Sequence, residues 1–148
     1  MSGYSDIIAA LDAKNSATLA QPLTTTNVSL GTMESINTAI SSYNTRAPLT
    51  PTVDGGFTGG GAYVAWRRID FGTLFKGIPI SIKDSVSTTV AGLIPRLNEM
   101  YGYTIGTDDV VNNLLPSPAA GQSAVVTITA SSTSNKFVGS FTITYRKS

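Results

Sequence analysis

The chain has 148 residues, a formal net charge of +1 and a charged fraction of 13%, about half that of an average soluble domain. These values predict one folded domain with a polar, weakly charged surface, and they argue against nucleic acid and membrane as partners. The sequence has no cysteine and no histidine, which excludes disulfides, thiolate catalysis, Cys-based zinc sites and Ser-His catalysis. No apolar run approaches the ~20 residues of a membrane helix, and the N-terminus lacks a signal-peptide pattern.

The first third of the chain predicts two short helices. The first opens at Ser5-Asp6 and ends near Asn15, with one apolar stripe. The second is capped by Thr32 and ends before Pro48. We therefore expect residues 1–46 to form an N-terminal helical arm. Its apolar residues are Ile7, Ile8 and Leu11 in the first helix, and Met33, Ile36, Ile40 and Tyr43 in the second.

Residues 47–62 contain two prolines and five glycines, a composition typical of a linker. Fully extended, these residues span at most roughly 55 Å, enough to carry the arm to a neighbouring subunit. Helices this short need a packing surface, so we expect the interface residues Ile36, Ile40 and Tyr43 to contact an adjacent copy or a partner protein, and we expect a homo-oligomer. The alternative is a compact monomer with both helices folded back on its own sheet.

Residues 63–148 are predicted to form the α+β domain, which starts with a strand over residues 63–70. Alternation places Tyr63 and Arg67 on one face and Trp66 and Arg68 on the other. Together these four residues could form an aromatic and basic platform for sugar or single-stranded nucleic acid. A strand with one aromatic face against the core explains the same pattern. A second β-like run covers residues 77–82.

The longest helix is predicted by an apolar stripe that starts at Val86. Asp84 or Ser85 can cap its start, and Gly102 can end it. Pro95 lies inside the pattern, so the helix either kinks near Ala91 or starts later, with Pro95 in its first turn. A second, short helix is predicted at Thr107. The stripe consists of Val86, Val90, Leu93, Ile94, Leu97 and Tyr101.

The C-terminal strands form the clearest β pattern, an antiparallel hairpin with one buried face. A weak similarity links residues 57–68 to residues 137–147, since each has a glycine turn, an alternating strand and a basic end. This similarity predicts that the two strands share one sheet. The fold class is therefore α+β: a small antiparallel sheet, formed by the hairpin and the central strands, packs against one long and one short helix. The buried face of the last strands comprises Phe137, Phe141, Ile143 and Tyr145.

Two patterns could carry chemistry, and each has a structural explanation that we prefer. Asp108 and Asp109 could bind a hard cation or act in acid–base catalysis, but at a helix start they complement the helix dipole. The glycines of residues 55–61 lack the Lys-Ser/Thr and the following helix of a phosphate-binding loop. We therefore expect no catalytic residue, no metal site and no cofactor.

Three segments carry a resemblance to a known class of proteins: Tyr63-Val-Ala-Trp-Arg-Arg-Ile-Asp-Phe-Gly-Thr-Leu-Phe75, Leu97-Asn-Glu-Met-Tyr-Gly-Tyr-Thr-Ile-Gly-Thr-Asp-Asp-Val110, and a terminal Phe-x-Gly strand. Together they resemble small virion structural proteins of large contractile-tailed bacteriophages, over roughly the C-terminal two-thirds of the chain. The resemblance implies a non-enzymatic subunit in the head, neck, tail or baseplate. Its partners would be other copies of itself and other virion proteins.

Two other functions remain open. The first is a carbohydrate- or host-surface-binding module that uses the strand with Tyr63 and Trp66. The second is a hydrolase that relies on carboxylates alone. The hydrolase is disfavoured because the chain lacks histidine, cysteine and a convincing carboxylate pair.

Overall fold

The computed structural model of the protein describes residues 4–39, 41–57 and 60–147. The chain has an α+β fold, as predicted, and divides into two compact units, Met1–Arg68 and Ile69–Ser148. The division falls after residue 68, whereas the sequence predicted an arm, a linker and a domain that starts at residue 63. The strand around Tyr63 therefore belongs to the first unit.

The first unit combines one helix with an antiparallel sheet. Helix α1 spans Tyr4–Asn15, which confirms the first predicted helix. The central strand β3 (Thr45–Pro51) pairs with β4 (Ala62–Trp66) on one side. On its other side, β3 pairs with β1 (Val28–Leu30) and β2 (Glu34–Ser35).

The second predicted helix, over residues 33–43, is wrong. Glu34–Ser35 forms strand β2 instead, and the backbone N–H of Ile36 donates to the carbonyl of Asn44 at 3.0 Å. The segment is rich in Ser, Thr and Asn, whose side chains compete with helical hydrogen bonds. Its apolar stripe is narrow, so pairing along β3 outweighs the helical periodicity.

The predicted linker of residues 47–62 is wrong at both ends, because β3 runs through Pro51 and β4 begins at Ala62. Pro48 is tolerated because it lies opposite the gap between β1 and β2, where its carbonyl accepts the N–H of Gly31 at 2.7 Å. A proline whose missing N–H faces such a gap removes no ladder hydrogen bond. Ala47, at the predicted start of the linker, is completely buried.

Helix α1 packs on the sheet of its own chain. The Tyr4 hydroxyl donates to the carbonyl of Val28 at 3.1 Å and accepts the N–H of Leu30 at 2.6 Å. Ile8 is buried, together with Val28 and Val64 of the sheet. The expectation of two helices separated from the sheet by a linker is therefore wrong, and α1 follows the compact alternative.

The second unit is built around strand β9 (Ser140–Arg146). This strand pairs antiparallel with β7 (Ala124–Thr129) and parallel with β6 (Ser81–Lys83). A small parallel pair joins β5 (Ile69–Asp70) to β8 (Phe137–Val138). The predicted C-terminal hairpin is confirmed, and its four predicted core residues, Phe137, Phe141, Ile143 and Tyr145, are buried.

The sheet pairing of the central strands differs from the prediction. The run over residues 63–70 divides into β4 and β5, which lie in different sheets, and β4 pairs with β3 rather than with β9. The second β-like run shortens to β6. The two similar segments therefore do not pair with each other, because β4 pairs with β3 in the first unit and β9 pairs with β6 and β7 in the second.

The long helix α3 spans Val90–Tyr101, with Thr89 as its N-cap and Gly102 as a left-handed C-cap. It starts four residues later than its apolar stripe, and Val86 is exposed. Asp84 holds the preceding turn by accepting the N–H groups of Val86 and Ser87. Pro95 falls in the second turn, not the first. The side chains that α3 buries are Val90, Leu93, Ile94 and Leu97.

Two short helices complete the second unit. Helix α2 covers Phe71–Leu74, and its first turn is capped by the Asp70 side chain, which accepts the N–H of Gly72 at 3.1 Å. The predicted short helix at Thr107 is a single 3₁₀ turn, Thr107–Asp109. The core of the unit lies between α3 and the inner face of the sheet, and it includes Phe71, Phe75 and Phe141.

Candidate binding surface

The four predicted platform residues, which lie in strand β4 and directly after it, alternate between the two sides of the chain. Tyr63 and Arg67 are exposed on the outer face, whereas Trp66 is half-buried and Arg68 is buried. The alternation predicted from the sequence is therefore confirmed. Because the set is split, only Tyr63 and Arg67 remain on a surface that a ligand could contact.

Arg68 has a structural role at the end of β4. Its backbone N–H donates to Asn44 Oδ1 at 2.8 Å, and Asn44 Nδ2 donates back to its carbonyl at 2.8 Å. Its Nε donates to Thr45 Oγ1 at 2.7 Å. Burial lowers the pKa of the guanidinium by disfavouring its charged form. These contacts connect β4 to the start of β3.

The outer face of the sheet carries a stack of three side chains that we call the Tyr63 platform: Tyr63, Arg46 and Glu34. The guanidinium carbon of Arg46 lies 4.5 Å from the centroid of the Tyr63 ring. Arg46 Nε donates to Glu34 Oε2 at 2.9 Å. The stack follows from the strand register, since Glu34 faces Arg46 across β2 and β3, and Pro48 faces Tyr63 across β3 and β4.

The platform is exposed to solvent. Tyr63 is 60% exposed, and its neighbours across and along the sheet are Pro48 and Ala65. Arg46 and Glu34 remain about half exposed. An aromatic ring beside a guanidinium and a carboxylate can stack on an apolar ring face and bind hydroxyl groups.

Sequence reasoning missed Arg46 and Glu34. Nothing in the local sequence pairs them, because Glu34 was assigned to a helix and Arg46 to the end of the arm. An opposite-charge pair across adjacent strands would have been the signal, but it becomes visible only when β2 and β3 are recognised as neighbours.

The three predicted interface residues do not form one helical stripe. Ile36 is half-buried beside β2, and Tyr43 is 40% exposed in the segment before β3. Ile40 lies outside the described residues. The helix expected to carry Ile36 and Tyr43 is therefore wrong, and their role in an interface stays a prediction.

The acidic pair of the second unit is divided by its 3₁₀ turn. Asp109 is buried, and its carboxylate accepts the N–H of Gly106 at 2.9 Å and the hydroxyl of Ser134 at 2.7 Å. Asp108 is exposed. Within the described residues there is no group of three or more acidic side chains that could hold a metal ion. Asp109 fixes the loop of Ser134 to the 3₁₀ turn.

Two surface grooves lie within the described residues, one in each unit. In the first unit an apolar groove of about 280 Å³ lies between α1 and the sheet, with Leu11, Leu23 and Phe57 among its lining residues. In the second unit a more open groove of about 600 Å³ is lined by Phe75, Ile78 and Phe141, among others. The described residues that line these grooves include no ionisable side chain. No helix in the described part of the chain is long and apolar enough to cross a membrane.

The fold and the platform define an α+β protein of two small units with an exposed aromatic and charged surface on one sheet. The chain belongs to the DUF7941 family, a family of unknown function, whose model matches residues 6–148. No curated protein and no solved structure matches the chain.

Proposed function

We propose that the protein is a non-enzymatic structural subunit of a bacteriophage particle, located in the virion, and that it acts through contacts with other copies of itself and with other virion proteins. The resemblance of the segments Tyr63–Phe75 and Leu97–Val110 to small virion proteins supports this role. The properties of the surface support it independently.

The proposal rests mainly on the number of large apolar side chains that are exposed to solvent. Val53, Val86, Leu114 and Val125 are each at least 73% exposed. Single exposed apolar residues are ordinary, but apolar area that accumulates on a surface favours contact with other proteins. The charged fraction of 13% leaves little like-charge repulsion to oppose such contacts.

Two of these residues flank the start of α3. Leu114 faces Thr89 in an isolated antiparallel bridge, and Val86 precedes Thr89 by three residues. Neither residue belongs to the core of the second unit. Their exposure at a rigid helix start gives a partner subunit a fixed apolar contact.

Mass spectrometry of particles purified on a density gradient tests this role. We expect peptides of this chain in the particle band, in a constant ratio to the major capsid or tail protein. Antibody labelling in electron micrographs would then give its place in the particle. A chain that is abundant in the infected cell and absent from the purified particle would overturn the proposal.

A second candidate function is carbohydrate binding, which the Tyr63 platform favours. A stacking aromatic ring next to a guanidinium and a carboxylate is the combination that sugar recognition uses. On a glycan array, a carbohydrate-binding protein would give signals that Tyr63→Ala removes. The matched control is Tyr43→Ala, which removes another exposed tyrosine of the same unit. Equal signals from the two variants would contradict carbohydrate binding at the platform.

A further inference from the structure

Strand β7 forms one edge of the three-stranded sheet in the second unit. Its neighbour β9 covers one side along the whole strand. On the other side, only its C-terminal end has a neighbour among the described residues. Val111 donates its N–H to the carbonyl of Thr129 at 2.8 Å, and Val110 bridges to Ala130. Along the remainder of this edge, no backbone hydrogen bond to β7 is made by the described residues.

The known hydrogen bonds fix the direction of the free backbone groups. Ala130 donates its N–H to Gly139 on the β9 side, and Thr129 accepts from the opposite side. In an antiparallel ladder successive residues point their N–H and C=O groups to alternate sides. Val125 and Thr127 therefore direct these groups away from β9, and no hydrogen bond among the described residues reaches them there.

This edge lacks the features that protect natural edge strands from pairing. Such strands usually carry a proline, a charged side chain or a bulge. Ala124–Thr129 has the sequence Ala-Val-Val-Thr-Ile-Thr, which contains neither proline nor charge and has a continuous register with β9. Val125 on its outer face is 73% exposed. The composition of β7 is therefore typical of a strand that pairs with a neighbouring strand on both sides.

We infer that β7 pairs antiparallel with β7 of a second copy, about a two-fold axis at Val126. The inference rests on the proposed assembly role and names the surface and the partner. In this register Val125 faces Thr127 of the partner subunit, and each pair exchanges two backbone hydrogen bonds. The interface is self-complementary, as a two-fold contact requires.

The covered end of the edge selects this register. Val111 occupies the position beside Thr129, so a partner strand can pair only with the residues before it. Centring the axis at Val126 pairs residues 124–128 of both copies and leaves Thr129 of each copy with Val111. If the partner strand shifted by two residues in one direction, one pair of backbone hydrogen bonds would be lost. If it shifted in the other direction, it would collide with Val111.

Charge distinguishes this edge from the opposite edge of the same sheet. The other edge strand, β6, carries Lys83 beside Arg146 of β9, so two copies that meet there would bring four cations together. The β7 edge is neutral over residues 123–130, so self-pairing brings no like charges together. A second copy therefore fits β7 and not β6.

Lysine and glutamate substitutions in the full-length chain test the pairing and its register. Analytical ultracentrifugation of the wild type is expected to show a reversible dimer. V125K/T127K places lysine opposite lysine twice, and we expect dimerisation to weaken at least tenfold. V125K/T127E places lysine opposite glutamate in the same register and is expected to restore it. Thr142→Lys, on the same outer face but on the central strand, is the matched control and is expected to leave dimerisation unchanged.

A cysteine substitution provides a second measurement, because the chain contains no cysteine of its own. Residue 126 lies on the proposed axis in a pair without hydrogen bonds, where the two Cα atoms are about 4.5 Å apart, within disulfide range. Val126→Cys is expected to form a disulfide-linked dimer under mild oxidation with copper phenanthroline. Thr127→Cys is expected to remain uncrosslinked, because residue 127 of the two copies would lie about 8 Å apart.

The outcomes separate this inference from the proposed function. A monomeric wild type at high protein concentration, a dimer that V125K/T127K does not weaken, or equal crosslinking at positions 126 and 127 would each overturn the β7 pairing. If the protein is found in purified particles and the β7 dimer is absent, the virion role stands and the pairing fails. If the dimer forms and the particles lack the chain, the pairing stands and the virion role fails.

Discussion

Phe141 is buried in a cluster of phenylalanine rings in the core of the second unit. Its ring stacks on Phe75 with centroids 3.9 Å apart and meets the edge of Phe71 at 5.2 Å. Phe71 also stacks on Phe137 at 4.8 Å. The four rings join α2, β8 and β9, so the loss of one ring removes contacts from several elements.

We predict that Phe141→Ala lowers the free energy of unfolding by about 3 kcal/mol or more, as truncation of buried aromatic residues does. The measurement is chemical denaturation monitored by circular dichroism. Thr142→Ala, at the next and exposed position of β9, is the control and is expected to change stability by no more than about 0.5 kcal/mol. Equal denaturation midpoints for Phe141→Ala and the wild type would contradict the central position of this ring.

Asp84 carries a carboxyl group whose surroundings lower its pKa. Partial burial raises its pKa, but the N–H and hydroxyl of Ser87, the N–H of Val86 and the charge of Arg96 together lower it by more, so the pKa lies below its ordinary value. A carboxyl whose pKa is lower in the folded state stabilises the protein above its unfolded-state pKa. This stability is lost as the pH falls through the folded-state pKa.

We therefore predict that Asp84→Asn lowers the melting temperature at about pH 6, and that the difference from the wild type shrinks as the pH falls to about 2. Asparagine keeps one oxygen that can accept the N–H groups of Val86 and Ser87, but it replaces the oxygen that accepts the Ser87 hydroxyl. The part of the difference that changes with pH therefore reports the charge. Thermal melts of both proteins at a series of pH values measure the difference. A difference that does not change with pH would contradict a stabilising role for the ionised carboxylate.

At the scale of elements, the stability of helix α3 depends on the residues that cap its two ends. Thr89 caps its start through a 3.3 Å hydrogen bond from the N–H of Gly92. Gly102 ends it with φ at 72°, and its N–H donates to the carbonyl of Asn98 at 2.8 Å. A Cβ at residue 102 would contact nothing within 4 Å. The need for glycine at this position is therefore conformational and not steric.

We predict that Gly102→Ala destabilises the protein by about 1–2 kcal/mol, the cost of a left-handed backbone for an ordinary L-residue. Gly102→Asn is expected to recover part of this loss, because asparagine tolerates the left-handed region better. Urea denaturation of the wild type and the two variants measures the order of their free energies of unfolding. Equal losses in the two variants would indicate a cause other than backbone conformation.

At the scale of the whole molecule, the second unit contains its own complete core. All of the residues in the main hydrophobic cluster lie between Phe71 and Tyr145. The first unit has a sheet of its own, in which β1, β2 and β4 each pair with β3. A boundary after Arg68 therefore keeps every strand with its partners, whereas a cut after residue 46 divides β3.

We predict that the fragment 69–148 folds alone with a cooperative thermal transition, because its buried side chains pack against one another. The fragment 47–148 is expected to fold less cooperatively and to aggregate, because it keeps β4 and most of β3 without β1 and β2. Calorimetry and size-exclusion chromatography of the two fragments make the comparison. An unfolded 69–148 fragment would contradict the independence of this core.

The sequence by itself determined the elements whose periodicity is strong and local. The apolar stripe of α3, its glycine stop and the alternation of β9 were all visible in the printed residues, and so was the division of Tyr63 from Trp66 along β4. These features follow from the repeat of a helix or a strand and need no distant partner. The alternation placed Tyr63 and Arg67 on the same face, and the structure shows that this face is exposed to solvent.

Only the tertiary structure decided which strands are neighbours. Glu34 and Arg46 are 12 positions apart, and they meet because β2 and β3 pair, not because of any local pattern. The same pairing placed a strand inside the predicted helix and strands at both ends of the predicted linker, since backbone hydrogen bonds to β3 outweigh the weak preferences of residues rich in Ser, Thr, Gly and Pro. The Tyr63 platform and the open edge of β7 both result from strand order, which depends on distant parts of the chain.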